Sequence, residues 1–180
     1  THGGAVEKVW FQLGKLFAAK GHEVTHLSRL CDDLLAEETI DGVRHVRVPG
    51  YSTPSSLWKL KFLDFLYTRR VKHALPDADV LITNTFWLPI LVKNPLKGRR
   101  YVHVGRYPKG QMRLYAGATR LHAPSRAIAE AICQEAPGLA HCVRSIPYPL
   151  PWKPFSVEEA TAEREPVILY LGRIAPEKGL

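Results

Sequence analysis

The chain has 180 residues, 46% of them apolar and 23% charged, with 25 Lys and Arg against 17 Asp and Glu for a net charge of +8. That length buries one proper core with a tail left over, and the composition is that of an ordinary soluble globular domain, with no run near the roughly 18 apolar residues of a membrane span. The positive charge suits anionic partners such as sugar nucleotides, polyphosphates or an acidic membrane face, while the lack of helix-turn-helix, zinc-finger or aromatic RNA-binding signatures argues against nucleic acid.

Gly3 and Gly4 precede the clearest helix, residues 6–20, in which Val6, Val9, Trp10, Leu13, Leu16 and Phe17 follow i, i+3, i+4 spacing. A glycine pair at a helix start lets an anion approach the backbone and meet unpaired N–H donors, although the same pair also reads as a plain loop. Gly21 ends the helix and residues 23–28 (EVTHLS) read as a strand. Residues 42–48 (GVRHVRV) alternate Val43, His45 and Arg47 against Arg44, Val46 and Val48, as a half-buried strand does.

After a turn cluster at residues 52–56, residues 57–75 are helical in length and composition. There Trp58, Phe62, Phe65 and Tyr67 mix with Lys59, Lys61, Arg69, Arg70 and Lys72. Such a basic aromatic helix either lies in a lipid headgroup layer or packs on the core with its cations snorkelling outward. Apolar side chains fall almost all around the wheel, which favours the core. Residues 79–85 (DVLITNT) form a nearly continuous apolar strand of the kind a parallel sheet buries on both faces, and residues 86–93 a short helix broken by Pro89.

Residues 95–100 read as a loop, 101–104 as a strand, 106–117 as a basic loop or irregular helix, and 119–123 as another strand. Pro124 and Ser125 begin a helix reaching about Glu135, with Ser125 placed to accept a bond from an early helical N–H, and residues 142–146 form the last strand of the domain. Strands separated by helices in this way predict an α/β fold, a doubly wound parallel sheet with right-handed crossovers. Pro147, Pro149, Pro151 and Pro154 then make a stiff linker.

The chemistry-bearing residues lie at strand ends. His103 sits near the carboxyl end of its strand, where open α/β sheets place ligand crevices, though its spacing alone equally describes a satisfied half-buried histidine. Thr85 and Phe86 follow the preceding strand and are candidates to line a ligand pocket. Arg106, Tyr107 and Lys109 either recognise an acidic ligand or form a solvated basic loop. Residues 167–171 are a further apolar strand, followed by Gly172, Arg173, the helix-start signal Pro176 and Lys178. That junction gathers backbone N–H groups, a helix terminus and two cations where a diphosphate can sit; a solvated pair is the alternative. Cys31, Cys133 and Cys142 are odd in number and without CxxC spacing, which reads as reduced thiols in a cytosolic compartment. There is no Ser-His-Asp arrangement, no zinc spacing and no acidic cluster for a metal.

Taken in order, GGAVEK (residues 3–8), YVHVG (101–105), APSRAIAEAI (123–132), IPYPLP (146–151) and LGRIAPEKG (171–179) resemble the family-4 (group 1) glycosyltransferases. The resemblance implies a GT-B-type fold, two Rossmann-like domains facing each other across a nucleotide-sugar cleft. Residues 1–150 are then the N-terminal acceptor-side domain, 151–166 the linker and 167–180 the start of an incomplete donor-binding domain. The family's first strand, which leads into the glycine loop, is expected to be missing, since only Thr1 and His2 precede Gly3. The donor domain's two glutamates, eight positions apart, are also absent.

What the resemblance implies for function is a retaining glycosyltransferase that moves a sugar from a nucleotide diphosphate sugar to a sugar or lipid acceptor. Gly3, Gly4, Arg173 and Lys178 bind the donor diphosphate, and the two cations neutralise the leaving nucleoside diphosphate. His103 contacts the donor sugar near its reacting carbon as the catalytic residue, and Thr85, Phe86 and Arg106 bind the acceptor. No metal and no covalently bound cofactor are expected. The 180 residues alone are expected to be inactive, because catalysis needs both walls of the cleft. A cytoplasmic location follows, with membrane association on the cytoplasmic face as in several relatives. Two alternatives stay open: a nucleotide-sugar epimerase of the same architecture, and a non-catalytic domain docking on anionic membranes.

Overall fold

The structure, a computed structural model, describes residues 5–31, 33–52 and 54–149. Helix α1 (Ala5–Ala19) presents its apolar stripe to strands β1 (Val24–Arg29) and β3 (Val43–Val48), which run parallel in the register Val24↔Val43. Period-2 alternation along β3 sorts its side chains: Phe11 of α1 stacks near His45, while Val48 points to the opposite face and packs with Val71 and Leu75. Helix α2 (Leu57–Ala74), which carries Val71 and is followed directly by Leu75, therefore lies across the sheet from α1.

Strand β2 (Glu37–Ile40) pairs antiparallel with β3, a hairpin beyond what the hydrophobic pattern predicts. Its two-residue turn, Asp41 and Gly42, has φ of 51° and 77°, the left-handed pair that a tight hairpin turn requires. Buried Arg47 is paired with Glu38 across the hairpin and also donates to the Leu35 carbonyl.

A second sheet holds four parallel strands in the order β4 (Val80–Thr83), β5 (Arg99–His103), β6 (Arg120–Ala123) and β7 (Val143–Ser145). Leu121 and Ala123 of β6 and Val102 of β5 are buried with Ile128 and Ile132 of α4 (Arg126–Glu135). Ser125 caps α4 as its sequence position predicts, its hydroxyl accepting from Ile128 N–H at 3.3 Å. His103 and His122, offset by one residue from this core set, face the other way, toward α1. Leu27 of β1 and Leu81 of β4 are partly buried against one cluster under α2, so that helix spans strands of both sheets. The result is the expected α/β class: parallel strands flanked by helices on both faces, a Rossmann-like half of a GT-B fold.

Two expectations need correction. Residues 79–85 do not form a strand buried on both faces: β4 is four residues long, and Val80 and Ile82 are 47% and 39% exposed. Among the described residues β4 pairs only with β5, and its outer edge, like that of β1, meets no strand. Pro89 does not break a helix; it occupies the first turn of α3 (Leu88–Leu91), where its missing N–H costs nothing. Among the described residues no helix is long and apolar enough to cross a membrane.

Candidate functional site

His103 ends β5 and its register partner on β6 is His122. In-register parallel strands bring two such side chains onto one face, and here the rings meet Nδ1 to Nδ1 at 2.8 Å. The other nitrogen of His103, Nε2, lies 2.8 Å from the Tyr148 hydroxyl, and Nε2 of His122 lies 2.7 Å from the Ile146 carbonyl. Trp10 of α1 closes the assembly edge-on, 5.4 Å from the His103 ring. Only 4% of His103 is exposed. Burial, and then the neighbouring His122, push its pKa down to about 4, so the ring is neutral at neutral pH. Burial pushes the Tyr148 hydroxyl up.

Gly105 lies over this contact. A Cβ at that position would stand 3.0 Å from His103 Nε2 and 3.4 Å from the Tyr148 oxygen, closer than a methyl group is comfortable. The glycine in YVHVG thus leaves room for the bond between His103 Nε2 and Tyr148.

The other described candidates gather at the carboxyl ends of β4 and β5, which are adjacent strands. Thr85 is engaged in holding its turn: its N–H donates to Thr83 Oγ1 at 3.2 Å and its own Oγ1 accepts from Leu88 N–H at 3.4 Å, opening α3. Phe86 stands edge-on to Trp87 and Tyr115, and its carbonyl accepts from the Tyr115 hydroxyl at 3.4 Å. Arg106 is exposed, on a loop tied to α4 where Glu135 accepts from the N–H groups of Gly110 and Met112 at 2.8 and 2.7 Å. Gly3, Gly4, Arg173 and Lys178 lie outside the described residues.

Sequence reasoning missed His122, Tyr148 and Trp10, all of which touch His103. It also missed Asp64, the single acid of α2, whose burial raises its pKa. The Tyr115 hydroxyl is pushed up to about 12, by burial first and then by Asp64. A groove of about 270 Å³ is lined by Phe65, Arg69, Lys72, His73 and Leu91 of α2 and α3, none of them a candidate residue. Among the described residues no three His, Cys, Asp or Glu side chains are gathered as a metal site.

The family model described as Glycosyltransferase Family 4 matches residues 3–149. No curated protein matches the chain.

Proposed function

The chain belongs to glycosyltransferase family 4, and from that membership we propose that it acts as a retaining glycosyltransferase, moving a sugar from a nucleotide diphosphate sugar to an acceptor. The general character, glycosyl transfer, comes with the family. The finer reading is carried by one observation: a buried, neutral His103 at the carboxyl edge of a parallel sheet, held by His122, Tyr148 and Trp10.

As the bond between sugar and diphosphate breaks, positive charge develops at the sugar carbon and negative charge on the departing diphosphate. A neutral imidazole beside that carbon avoids the repulsion an imidazolium would exert, and burial is what keeps His103 neutral. In this reading the diphosphate is met by the Gly3–Gly4 backbone and by Arg173 and Lys178. The acceptor approaches along the edge formed by Thr85, Phe86 and Arg106. The proposal takes residues 1–150 as the acceptor-side domain, 151–166 as the linker and 167–180 as the start of the donor-binding domain, and, because transfer needs donor and acceptor aligned, it includes that residues 1–180 alone turn over no donor.

The test is transfer of labelled sugar from nucleotide diphosphate sugars by the enzyme carrying both walls, with product configuration read by NMR. Transfer with retained configuration supports the reading, inverted configuration overturns the retaining part, and label that stays on the nucleotide indicates an epimerase.

One observation favours membrane docking as an added property. The first turns of α2 project Trp58, 84% exposed, and Phe62, 61% exposed, with Lys61 Nζ 5.9 Å from the centre of the Trp58 ring and Lys59 beside it. Aromatic rings flanked by lysines suit an anionic headgroup layer, and the proposal is that this tip holds the enzyme at the cytoplasmic membrane face where a lipid acceptor would be found.

A further inference from the structure

Three hydrogen bonds run in series through two imidazoles, and a main-chain carbonyl at one end gives them a direction. The Ile146 carbonyl only accepts, so His122 Nε2, 2.7 Å away, carries a hydrogen and donates it. One hydrogen lies between the two Nδ1 atoms, 2.8 Å apart, and with the ring hydrogen of His122 placed on Nε2 the donor of that bond is His103 Nδ1. The single ring hydrogen of a neutral His103 is thereby used. Its Nε2 is left with a lone pair, to which the Tyr148 hydroxyl donates at 2.8 Å.

We infer that His122 is a positioning residue that fixes His103 as the Nδ1–H tautomer, so that His103 offers substrate a hydrogen-bond acceptor, and that the group it takes is a sugar hydroxyl exchanged for the hydroxyl of Tyr148. For the identity of the substrate this rests on the proposed transferase reading; for the tautomer it rests on the three bonds. A lone pair at Nε2 repels phosphate oxygens, which assigns the ring to a hydroxyl and leaves the diphosphate to other groups. The series also ends at a group that takes no proton. A carboxylate behind a histidine stabilises the imidazolium that forms during general-base catalysis, whereas a second imidazole backed by a main-chain carbonyl brings no negative charge. The pair therefore orients His103 and does not relay protons. Gly105 fits the same picture, because a Cβ there would crowd both partners of the exchangeable bond.

Nitrogen-15 NMR of the histidine-labelled 180-residue chain reads the tautomer without any turnover. At neutral pH the wild-type His103 is expected to carry hydrogen on Nδ1 and none on Nε2, and His122 the reverse. His122→Asn, whose amide oxygen replaces the Nδ1 lone pair, keeps that form of His103, and His122→Leu loses it. In the enzyme with both walls, His122→Leu lowers kcat on the order of tenfold to a hundredfold, with His122→Asn restoring most of it. Wild-type His103 with its hydrogen on Nε2 overturns the inference, as does an unaltered His103 tautomer in His122→Leu. The expected tautomers in an enzyme that transfers no sugar would support the assignment of His122 and overturn the transferase reading alone.

Discussion

Trp10 and His103 meet edge to face across the sheet–helix boundary, with ring centres 5.4 Å apart and planes at 76°. The contact ties α1 to the strand end that carries the candidate catalytic ring. Trp10→Ala removes one wall around His103 and opens a cavity beside it. It is expected to cost about 3 kcal/mol of stability and to raise the His103 pKa toward its ordinary value as water enters. A histidine titration followed by NMR checks this, and an unmoved His103 pKa would show that Trp10 contributes nothing to its burial.

Gly105→Ala puts a methyl group 3.0 Å from His103 Nε2. The His103–Tyr148 bond must lengthen, or the ring must shift. Transfer kcat is expected to fall about tenfold, which is about 1.4 kcal/mol at the barrier. Thermal unfolding should show little change, since Gly105 is not in the strand ladder; a loss of stability without a loss of kcat would assign the glycine to folding.

Stability should depend on pH through the buried histidines. Unfolded, His103 takes up a proton below about pH 6.5; folded, it resists until about pH 4. The unfolded state therefore binds more protons in that window, so stability is complete above it and is lost as pH falls through it. His26 and His45, both lowered by burial first, act in the same sense, while Asp64, raised by burial, acts in the opposite one. His103 alone accounts for up to about 3 kcal/mol, at about 1.4 kcal/mol per unit. Urea unfolding at pH 7.5 and pH 4.5 measures the difference, and stability that is equal at both would contradict the assignment.

How much of this was legible in the sequence depends on the range of each interaction. Helix α1, the Ser125 cap and the position of His103 at a strand end are set by neighbours within a few residues, and periodicity reveals them. The β2–β3 hairpin had a local signal too, the Asp41–Gly42 pair, but Glu37–Ile40 has a single strongly apolar residue and did not stand out as a strand. The His103–His122 pair depends on the register of β5 against β6, and Tyr148 reaches His103 from 45 residues away. No spacing rule contains either fact. The exposure of Val80 and Ile82 likewise depends on which strands β4 meets.

The hairpin contains a second stability test. Glu38→Ala leaves the Arg47 guanidinium buried with the Leu35 carbonyl as its remaining acceptor among the described residues, at a cost of about 3 kcal/mol. Replacing both, as Glu38→Leu with Arg47→Met, should recover most of that loss, because the pair's attraction is largely offset by its desolvation. Chemical denaturation of the single and double variants decides the point; a double variant no better than the single one would mean that the ion pair stabilises the hairpin outright.

Membrane docking through α2 is testable by co-sedimentation with vesicles rich in anionic lipid. Lys59→Glu with Lys61→Glu should abolish binding, and Trp58→Ser with Phe62→Ser should weaken it at every salt concentration. Each lysine contributes about 1 kcal/mol near such a surface. Binding that survives both pairs of changes would place the contact elsewhere.

His103, held neutral at the carboxyl edge of β5, is proposed to act on the sugar during transfer. The most direct measurement compares wild type with His103→Ala, in the enzyme with both walls of the cleft, for transfer of labelled sugar from a nucleotide diphosphate sugar. In that variant kcat is expected to drop on the order of a hundredfold while donor KM changes little, the signature of an interaction made chiefly in the transition state. A His103→Ala enzyme with unchanged kcat would contradict that role.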